Sequence, residues 1–142
     1  MKDPIDQQLI NALRSNGRAS TAELARLVGR SRTSVQSRID RLERQGVIIG
    51  YAVRLAPEHD QGAVRAHVSI KVQPKETRAV SAILQAMPQV RLLHSVSGDV
   101  DLIAVAATAT VAEMDQVIDR IGSIAGVERT NSSIILSTKF ER

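Results

Sequence analysis

The sequence contains no cysteine and no tryptophan, and Tyr51 and Phe140 are its only aromatic residues. The lack of cysteine excludes disulfide bridges and thiolate metal ligands. Because aromatic side chains are so scarce, the core must be aliphatic, and an apolar fraction of 43% is ordinary for a globular protein. A chain of 142 residues is long enough for one compact domain or two small ones.

Signals for a membrane, a cofactor or catalysis are also lacking. No apolar run approaches the roughly 18 residues of a membrane span, and the N-terminus carries acids where a signal peptide would need a basic start. The histidines His59, His67 and His94 lack metal-ligand spacing, and no nucleophile-elbow, phosphate-loop or dinucleotide pattern occurs. We therefore expect a cytoplasmic protein without a metal, a cofactor or catalytic residues.

Positive charge is concentrated in the first third of the chain. Residues 1–50 hold nine Lys and Arg against five Asp and Glu, a net charge of +4, whereas residues 51–142 hold ten of each. A basic module joined to a neutral one suggests one part that binds a polyanion and one part with another task. A basic surface without any partner would give the same count, so charge alone does not decide.

The first fifty residues predict three short helices. Asp3 and the proline after it are typical of a capped helix start, and Gly17 would close this helix in a left-handed conformation. Ser20 and Glu23 have the spacing of a capping box for the second helix, and Ser31 can cap the third. Each helix is too short to be stable alone, so the three must bury their apolar stripes against each other.

The second and third predicted helices are joined by about three residues around Gly29, the length of a helix-turn-helix connection. Ala25 lets the two helices approach, Gly29 permits the turn, and the β-branched Val35 fills the angle between them. We therefore assign residues 1–50 to a helix-turn-helix domain that binds DNA.

The third predicted helix has a polar face opposite Val35, Ile39 and Leu42. Hydroxyl, amide and guanidinium groups are the side chains that bond to base edges and phosphates in a major groove. The expected base contacts are Arg32, Ser34, Gln36 and Ser37, with Thr33 on the same face. The expected phosphate contacts are Arg38, Arg41 and Arg44. The alternative is a solvated face whose arginines pair with Asp40 and Glu43.

The remaining residues predict mainly strands and helices in alternation. Residues 47–55 predict a strand and the residues after it a hinge, so that 51–62 form a linker. Further strands are expected over 66–72, 90–97, 100–108 and 127–138, and helical stripes over 80–87 and 114–121, with a capping box at Thr110 and Glu113. The order β-α-β-β-α-β is the ferredoxin-like arrangement. The fold class is α+β, an N-terminal (winged) helix-turn-helix domain and a C-terminal βαββαβ domain over 63–142.

One face of such a sheet would carry no helices. We expect aliphatic side chains on it, namely Leu93, Ile103, Val105, Ile134 and Leu136. A second copy of the chain is the simplest cover, so we expect a homodimer through this domain.

The pair Gly98-Asp99 lies between two predicted strands. Asp99 and Asp101 could form a carboxylate pair, because residues two apart in extended chain share a face. Tight-turn chemistry is the other reason for a Gly-Asp pair. The residues alone leave both interpretations open.

Residues 5–51, 96–106 and 125–136 resemble the Lrp/AsnC (leucine-responsive, or feast/famine) transcription regulators, and the resemblance covers essentially the whole chain. It implies double-stranded DNA as a partner and an amino acid or similar small-molecule effector bound between dimers. It also implies assembly of homodimers into octamers or related rings. The expected function is therefore sequence-specific DNA binding by a transcriptional regulator, and not an enzymatic activity.

Carried over by position, the resemblance implies effector contacts at the Gly-Asp turn and on two strands. The turn residues are Gly98, Asp99, Val100 and Asp101, and the strand residues are His94, Thr130, Ser132 and Ser133. Val100 stands where many members carry an aromatic residue. Arg30 stands where an aliphatic residue is usual, so we expect it to turn outward and join the DNA-facing residues.

Two other functions would fit parts of the chain. Haem-pathway (siroheme-type) decarboxylases resemble the family in both domains but are enzymes, and they would need catalytic histidines and arginines around a tetrapyrrole pocket. A stand-alone small-molecule sensor would use only the C-terminal half and leave the basic half unexplained. The scarcity of histidine and aromatic residues favours the regulator.

Overall fold

The computed structural model describes residues 3–56, 59 and 64–140. The chain divides into two compact units, residues 1–54 and residues 55–142. Each unit has its own aliphatic core, and the two cores share no residue. Among the helices of the described residues, none combines the length and the apolarity that crossing a membrane requires.

Three helices build the first unit: α1 (Pro4–Ser15), α2 (Thr21–Val28) and α3 (Arg32–Arg44). The caps predicted at Asp3, Ser20 and Ser31 are confirmed, since each side chain accepts a hydrogen bond from a backbone N–H in its first turn. Glu23 completes the capping box by accepting from the Ser20 N–H at 2.7 Å. These bonds satisfy N–H groups that no helical carbonyl reaches.

Gly29 makes the turn between α2 and α3 with a φ of 63°, a left-handed conformation that glycine adopts easily. The left-handed conformation predicted for Gly17, in contrast, is wrong. Helix α1 ends at Ser15, the next residue, Asn16, is extended with a φ of −145°, and Gly17 has no positive φ. The apolar stripes of the three helices meet as predicted. Their shared core consists of Leu9, Leu24, Ala25, Val35 and Ile39.

The strand predicted over 47–55 is not formed, and residues 47–56 lie outside helix and strand. Ile49, Val53 and Leu55 are 95%, 82% and 60% exposed. The sequence pattern is that of a strand, but a strand needs a neighbour to bond to, and the described residues supply none. The predicted wing is therefore absent from the described residues, and most of the predicted hinge, residues 57–63 apart from His59, lies outside them.

The second unit has a four-stranded antiparallel sheet in the order β2-β3-β1-β4. Its elements are β1 (Val64–Val72), α4 (Thr77–Gln85), β2 (Val90–Ser95), β3 (Leu102–Thr108), α5 (Val111–Gly122) and β4 (Val127–Ile134). This is the predicted βαββαβ arrangement, with the nearly wholly apolar β3 in a central position. The differences lie at strand ends, since β2 and β4 stop short of their predicted ends and β3 begins later.

Helices α4 and α5 cover one face of this sheet. The core there combines alternate strand residues with helix residues, among them Val68, Ile70, Leu84, Leu102, Met114 and Ile121. Helix α5 begins after Thr110, whose hydroxyl accepts from the Glu113 N–H at 3.2 Å. The Glu113 carboxylate accepts from the Ala109 N–H instead of the Thr110 N–H, so the predicted capping box is half formed.

Among the described residues of the second unit, no helix covers the other face of the sheet, and the apolar residues of this face differ from the prediction. Ile103 and Val105 lie on it and are half-buried. Leu93 does not, because an irregularity at Arg91 shifts the alternation along β2. Leu93 therefore packs against the helix-side core, and its neighbour Leu92 lies opposite Val105 on the open face.

Two further residues predicted for the open face lie elsewhere. Ile134 pairs with Ala66, which is buried on the helix side, and Leu136 lies beyond the end of β4. The open face thus has a short apolar strip bordered by polar side chains. The polar residues, placed by strand register, are Arg65, His67, Ser69, Lys71, His94, Arg129, Asn131 and Ser133.

We expect Gly126→Ala to destabilise the second unit. Gly126 has a φ of 97°, and a Cβ there would lie 2.8 Å from the Glu76 Cβ. The backbone conformation alone costs about 1–3 kcal/mol for a residue with a side chain, and the clash adds to this. Gly98→Ala is the matched control, because Gly98 has a φ of 110° with open space around it.

Hydrogen exchange of the β1 and β4 amides measures this difference in the full chain. Fluorescence of Tyr51, the single tyrosine, reports on the first unit and should stay unchanged. Equal loss of protection in the two variants would show that the contact with Glu76 has no effect.

Candidate functional site

The polar face of α3 is exposed on the side opposite its buried residues. Val35, Ile39 and Leu42 are buried. Exposed around them are Arg30, Arg32, Thr33, Gln36, Ser37, Arg41 and Arg44. Ser34 and Arg38 are half-buried at the margin of this face. The helix-turn-helix formed by α2 and α3 thus presents hydroxyl, amide and guanidinium groups on one surface.

Two arginines of α3 are bound to carboxylates at the start of α1. Arg38 Nη1 donates to Asp3 at 2.7 Å and to Asp6 at 2.8 Å, and Arg41 Nη2 donates to Asp6 at 2.7 Å. Asp6 is buried, with 9% exposure. The hydrogen bond from Arg38 holds the pKa of Asp3 below its ordinary value and raises the pKa of Arg38. This cluster fixes α3 to the N-terminus of α1, where carboxylates also suit the helix dipole.

Gln36 is held in place by side chains on either side of it. Its Oε1 accepts from the Thr21 hydroxyl at 3.2 Å, and its Nε2 donates to Asp40 at 2.7 Å. Glu43 accepts from the Tyr51 hydroxyl at 2.8 Å, and burial together with this bond raises the pKa of Tyr51. Asp40 and Glu43 therefore do not form the side-chain ion pairs with α3 arginines that the solvated-face alternative requires.

Asp99 and Asp101 both lie in the turn between β2 and β3, but they differ in their contacts. The Asp101 carboxylate accepts from the Val72 N–H at 2.8 Å and lies 3.7 Å from Lys71 Nζ. Asp101 thus ties the turn to β1 at the irregularity between Lys71 and Val72. Asp99 is exposed and makes no hydrogen bond or ion pair with the described residues. Of the two open interpretations, Asp101 follows the turn chemistry, whereas Asp99 stays available to a ligand.

The strand residues of the predicted effector set lie on both faces of the sheet. His94 and Ser133 are on the open face, opposite Ile103 and His67. Thr130 and Ser132 are on the helix side by register, and Thr130 Oγ1 faces Gly122 of α5. One protomer therefore does not bring all of these residues together around the Gly98-Asp99 turn.

Several residues that organise these sites were missed by the sequence analysis. Asp6 was not singled out, although the spacing Asp3-Asp6 matches the spacing Arg38-Arg41 and could have indicated two facing pairs. Nothing in the sequence pointed to Lys71 beside Asp101 or to Thr21 beside Gln36, because these contacts join distant positions. Within the described residues, no cluster of three His, Cys, Asp or Glu could hold a metal ion.

Comparison with known proteins places the two units in one family. The description "AsnC-type helix-turn-helix domain" matches residues 3–43, and "Lrp/AsnC ligand binding domain" matches residues 65–142. The chain belongs to the Lrp/AsnC family. The resemblance noted on the sequence and the predicted fold class are confirmed.

Relatives within the Lrp/AsnC family align over nearly the whole chain. The HTH-type transcriptional regulator LrpA of Mycobacterium tuberculosis is 36% identical over 97% of this chain and 92% of that protein. Its crystal structure has a TM-score of 0.83 and covers 99% of this chain and 96% of that chain at 34% identity. The HTH-type transcriptional regulator FL11 of Pyrococcus horikoshii is 30% identical over 98% of this chain and 92% of that protein.

A second similar structure is that of the transcriptional regulator NMB0573 from Neisseria meningitidis in complex with L-Met. It has a TM-score of 0.88 and 25% identity, and it covers 99% of this chain and 94% of that chain. The relatives are named as transcriptional regulators, which confirms the predicted class of protein. They do not favour the decarboxylase alternative.

We expect Asp6→Asn to destabilise the first unit by about 1–3 kcal/mol, the scale of hydrogen bonds to charged groups. The variant removes the charge to which Arg38 and Arg41 donate. Asp40→Asn is the matched control, because an amide oxygen can still accept from Gln36. Urea unfolding followed by Tyr51 fluorescence measures both variants.

The contribution of Asp3 should disappear in acid. Because its pKa is lowered in the folded protein, Asp3 stabilises the first unit fully above its ordinary pKa of about 4. That stabilisation is lost as pH falls through the lowered value, so the unfolding midpoints of Asp3→Asn and the wild type should become equal there.

An Asp6→Asn urea midpoint equal to that of the wild type at neutral pH would contradict the role of the cluster.

Proposed function

We propose that this protein is a sequence-specific DNA-binding transcriptional regulator whose DNA affinity responds to an amino acid or a related metabolite. The observation that carries the DNA-binding part is the exposed polar face of α3, presented behind the tight α2-turn-α3 connection. The net charge of +4 on residues 1–50 supports it, because a basic unit attracts the phosphate backbone. A regulator of this kind would act in the cytoplasm.

Within α3 we propose Gln36 as the main base-reading residue, with Ser37, Thr33 and Ser34 beside it. Thr21 and Asp40 use one acceptor position and one N–H of Gln36, and the amide keeps another of each. An amide held in this way is prepared for the bidentate bonds that Asn and Gln make with adenine. Arg44 remains a phosphate contact, whereas Arg38 acts first as a positioning residue.

We propose that the protein is a homodimer that assembles further, as an octamer or a related ring. The apolar strip of Leu92, Ile103 and Val105 on the open sheet face supports a contact with a second copy. Two helix-turn-helix units would then meet successive major grooves about 34–36 Å apart on a near-palindromic site.

We propose the turn at Gly98, Asp99 and Val100 as part of the effector site. Its exposed backbone and the unengaged carboxylate of Asp99 can bind a carboxylate and an ammonium group. A pocket formed between copies would also bring together His94, Thr130, Ser132 and Ser133, which one protomer holds on two faces. The L-Met complex of the Neisseria meningitidis relative supports an amino acid as the ligand class.

Replacing Gln36 should change which DNA sequences are bound. Selection from a random duplex library gives the preferred site of the wild type, and Gln36→Ala should lose discrimination at the base pair it reads, by about 1–3 kcal/mol. Thr21→Val should loosen the same preference, because it removes the donor that holds Gln36 Oε1. Identical sequence preferences of the wild type and both variants would show that Gln36 does not read a base.

Asp99→Ala should abolish the effector response while leaving the fold intact. We would titrate the twenty amino acids, beginning with L-methionine, by calorimetry and follow assembly by light scattering. Asp101→Ala is the contrasting variant, because it leaves the Val72 N–H without its acceptor and should lower stability by about 1–3 kcal/mol. If none of the twenty amino acids binds to the wild type, the hypothesis of an amino-acid effector is wrong. If Asp99→Ala unfolds the second unit, the turn has a purely structural role.

A further inference from the structure

An open depression lies in the first unit beside the turn between α2 and α3. Its volume is about 690 Å³. It is lined by Ala22, Ala25, Arg26, Gly29, Arg30, Ser31 and Arg32. Three guanidinium groups thus border one concave surface, and none of its lining residues is acidic.

The three arginines of this depression differ in one respect from Arg38 and Arg41 of α3. Arg26, Arg30 and Arg32 are exposed and form no ion pair with any described carboxylate. Arg38 and Arg41, in contrast, are both bound to the buried Asp6. Each of these two guanidinium groups keeps further N–H donors, but its charge is already offset by a carboxylate, so it attracts a phosphate less strongly than an arginine without an ion pair does.

The carboxylate nearest in sequence to the depression is also engaged elsewhere. Glu23 accepts from the Ser20 N–H at 2.7 Å, and this bond is the main reason that its pKa is lowered. The positive charge of Arg26 lowers the pKa of Glu23 by a smaller amount. The net charge around the depression therefore remains positive.

The lining of the depression contains small residues beside the three arginines. Ala22 and Ala25 leave space on α2, and Gly29 has no side chain at the turn. The backbone of an extended polyanion can therefore approach closely, and guanidinium groups on the rim can bind phosphate oxygens in a bidentate manner. An open surface of this kind suits a chain of phosphates rather than an enclosed small molecule.

We infer that this depression is the main anchoring site for the DNA phosphodiester backbone, through Arg26, Arg30 and Arg32. The inference rests on the proposed DNA binding and reassigns its electrostatic part. Arg26, which the sequence analysis did not single out, becomes a DNA contact, and Arg32 contacts phosphate instead of a base. Arg38 and Arg41 hold α1 against α3 and contribute less to phosphate binding.

The test is the salt dependence of binding to a duplex of random sequence. Affinity is measured over a range of KCl concentrations for the wild type and for a variant with Arg26→Gln, Arg30→Gln and Arg32→Gln. Each lost phosphate contact lowers the slope of log affinity against log salt by about 0.9, so we expect a loss of about 2–3 units per bound protomer. The same three positions changed to Lys should restore the slope, because the charge is restored.

The matched control carries the same change of charge at three exposed arginines of the second unit, Arg78→Gln, Arg91→Gln and Arg120→Gln. Its slope should equal that of the wild type. Tyr51 fluorescence confirms that each first unit is folded. If the depression variant keeps the wild-type slope, or falls no further than the control, the inference is wrong while DNA binding stands. If the wild type shows no salt-dependent binding, the proposed function itself fails.

Discussion

The first unit depends on the buried carboxylate of Asp6. It accepts from Arg38 and Arg41 at once, and so joins the first turn of α1 to the middle of α3. Three helices of 12, 8 and 13 residues have little stability alone, so a fixed contact between the first and the last decides how α3 is presented. The same contact decides which arginines have no partner. Within α3, Arg38 and Arg41 are thus engaged with carboxylates, whereas Arg32 at its start and Arg44 at its end form no ion pair with a described carboxylate.

A second carboxylate has a comparable part in the second unit. Asp101 accepts from the Val72 N–H and lies near Lys71, which holds the β2–β3 turn against β1 where the strand register shifts. Because this bond fixes the turn, Gly98 and Asp99 can stay exposed without making contacts of their own. In both units, one aspartate therefore has a structural role: Asp6 joins two helices, and Asp101 joins a turn to a strand.

The sequence predicted most of the features that depend on local chemistry, with Gly17 and the Thr110 capping box as exceptions. The caps at Asp3, Ser20 and Ser31, the turn at Gly29 and the order of helices and strands along the chain follow from residue types and spacing within a few positions. The predicted strand over 47–55 failed because a strand exists only with a neighbour, which the pattern of one segment does not supply. The prediction that Leu93 lies on the open face failed because the irregularity at Arg91 changes the alternation of faces along β2. No residue type at this position indicates such an irregularity.

Roles in the candidate site were harder to predict than exposure. The exposed residues of α3 were predicted largely correctly, because they lie opposite the buried stripe of Val35, Ile39 and Leu42. Whether an outward arginine has a partner depends on another helix, so Arg38 and Arg41 looked the same as Arg30 and Arg32. The count of basic residues therefore gives only the net charge of the whole unit. Under the proposed DNA binding, the contacts of Asp3 and Asp6 reduce the attraction at Arg38 and Arg41 and leave the arginines without ion pairs as the stronger phosphate contacts.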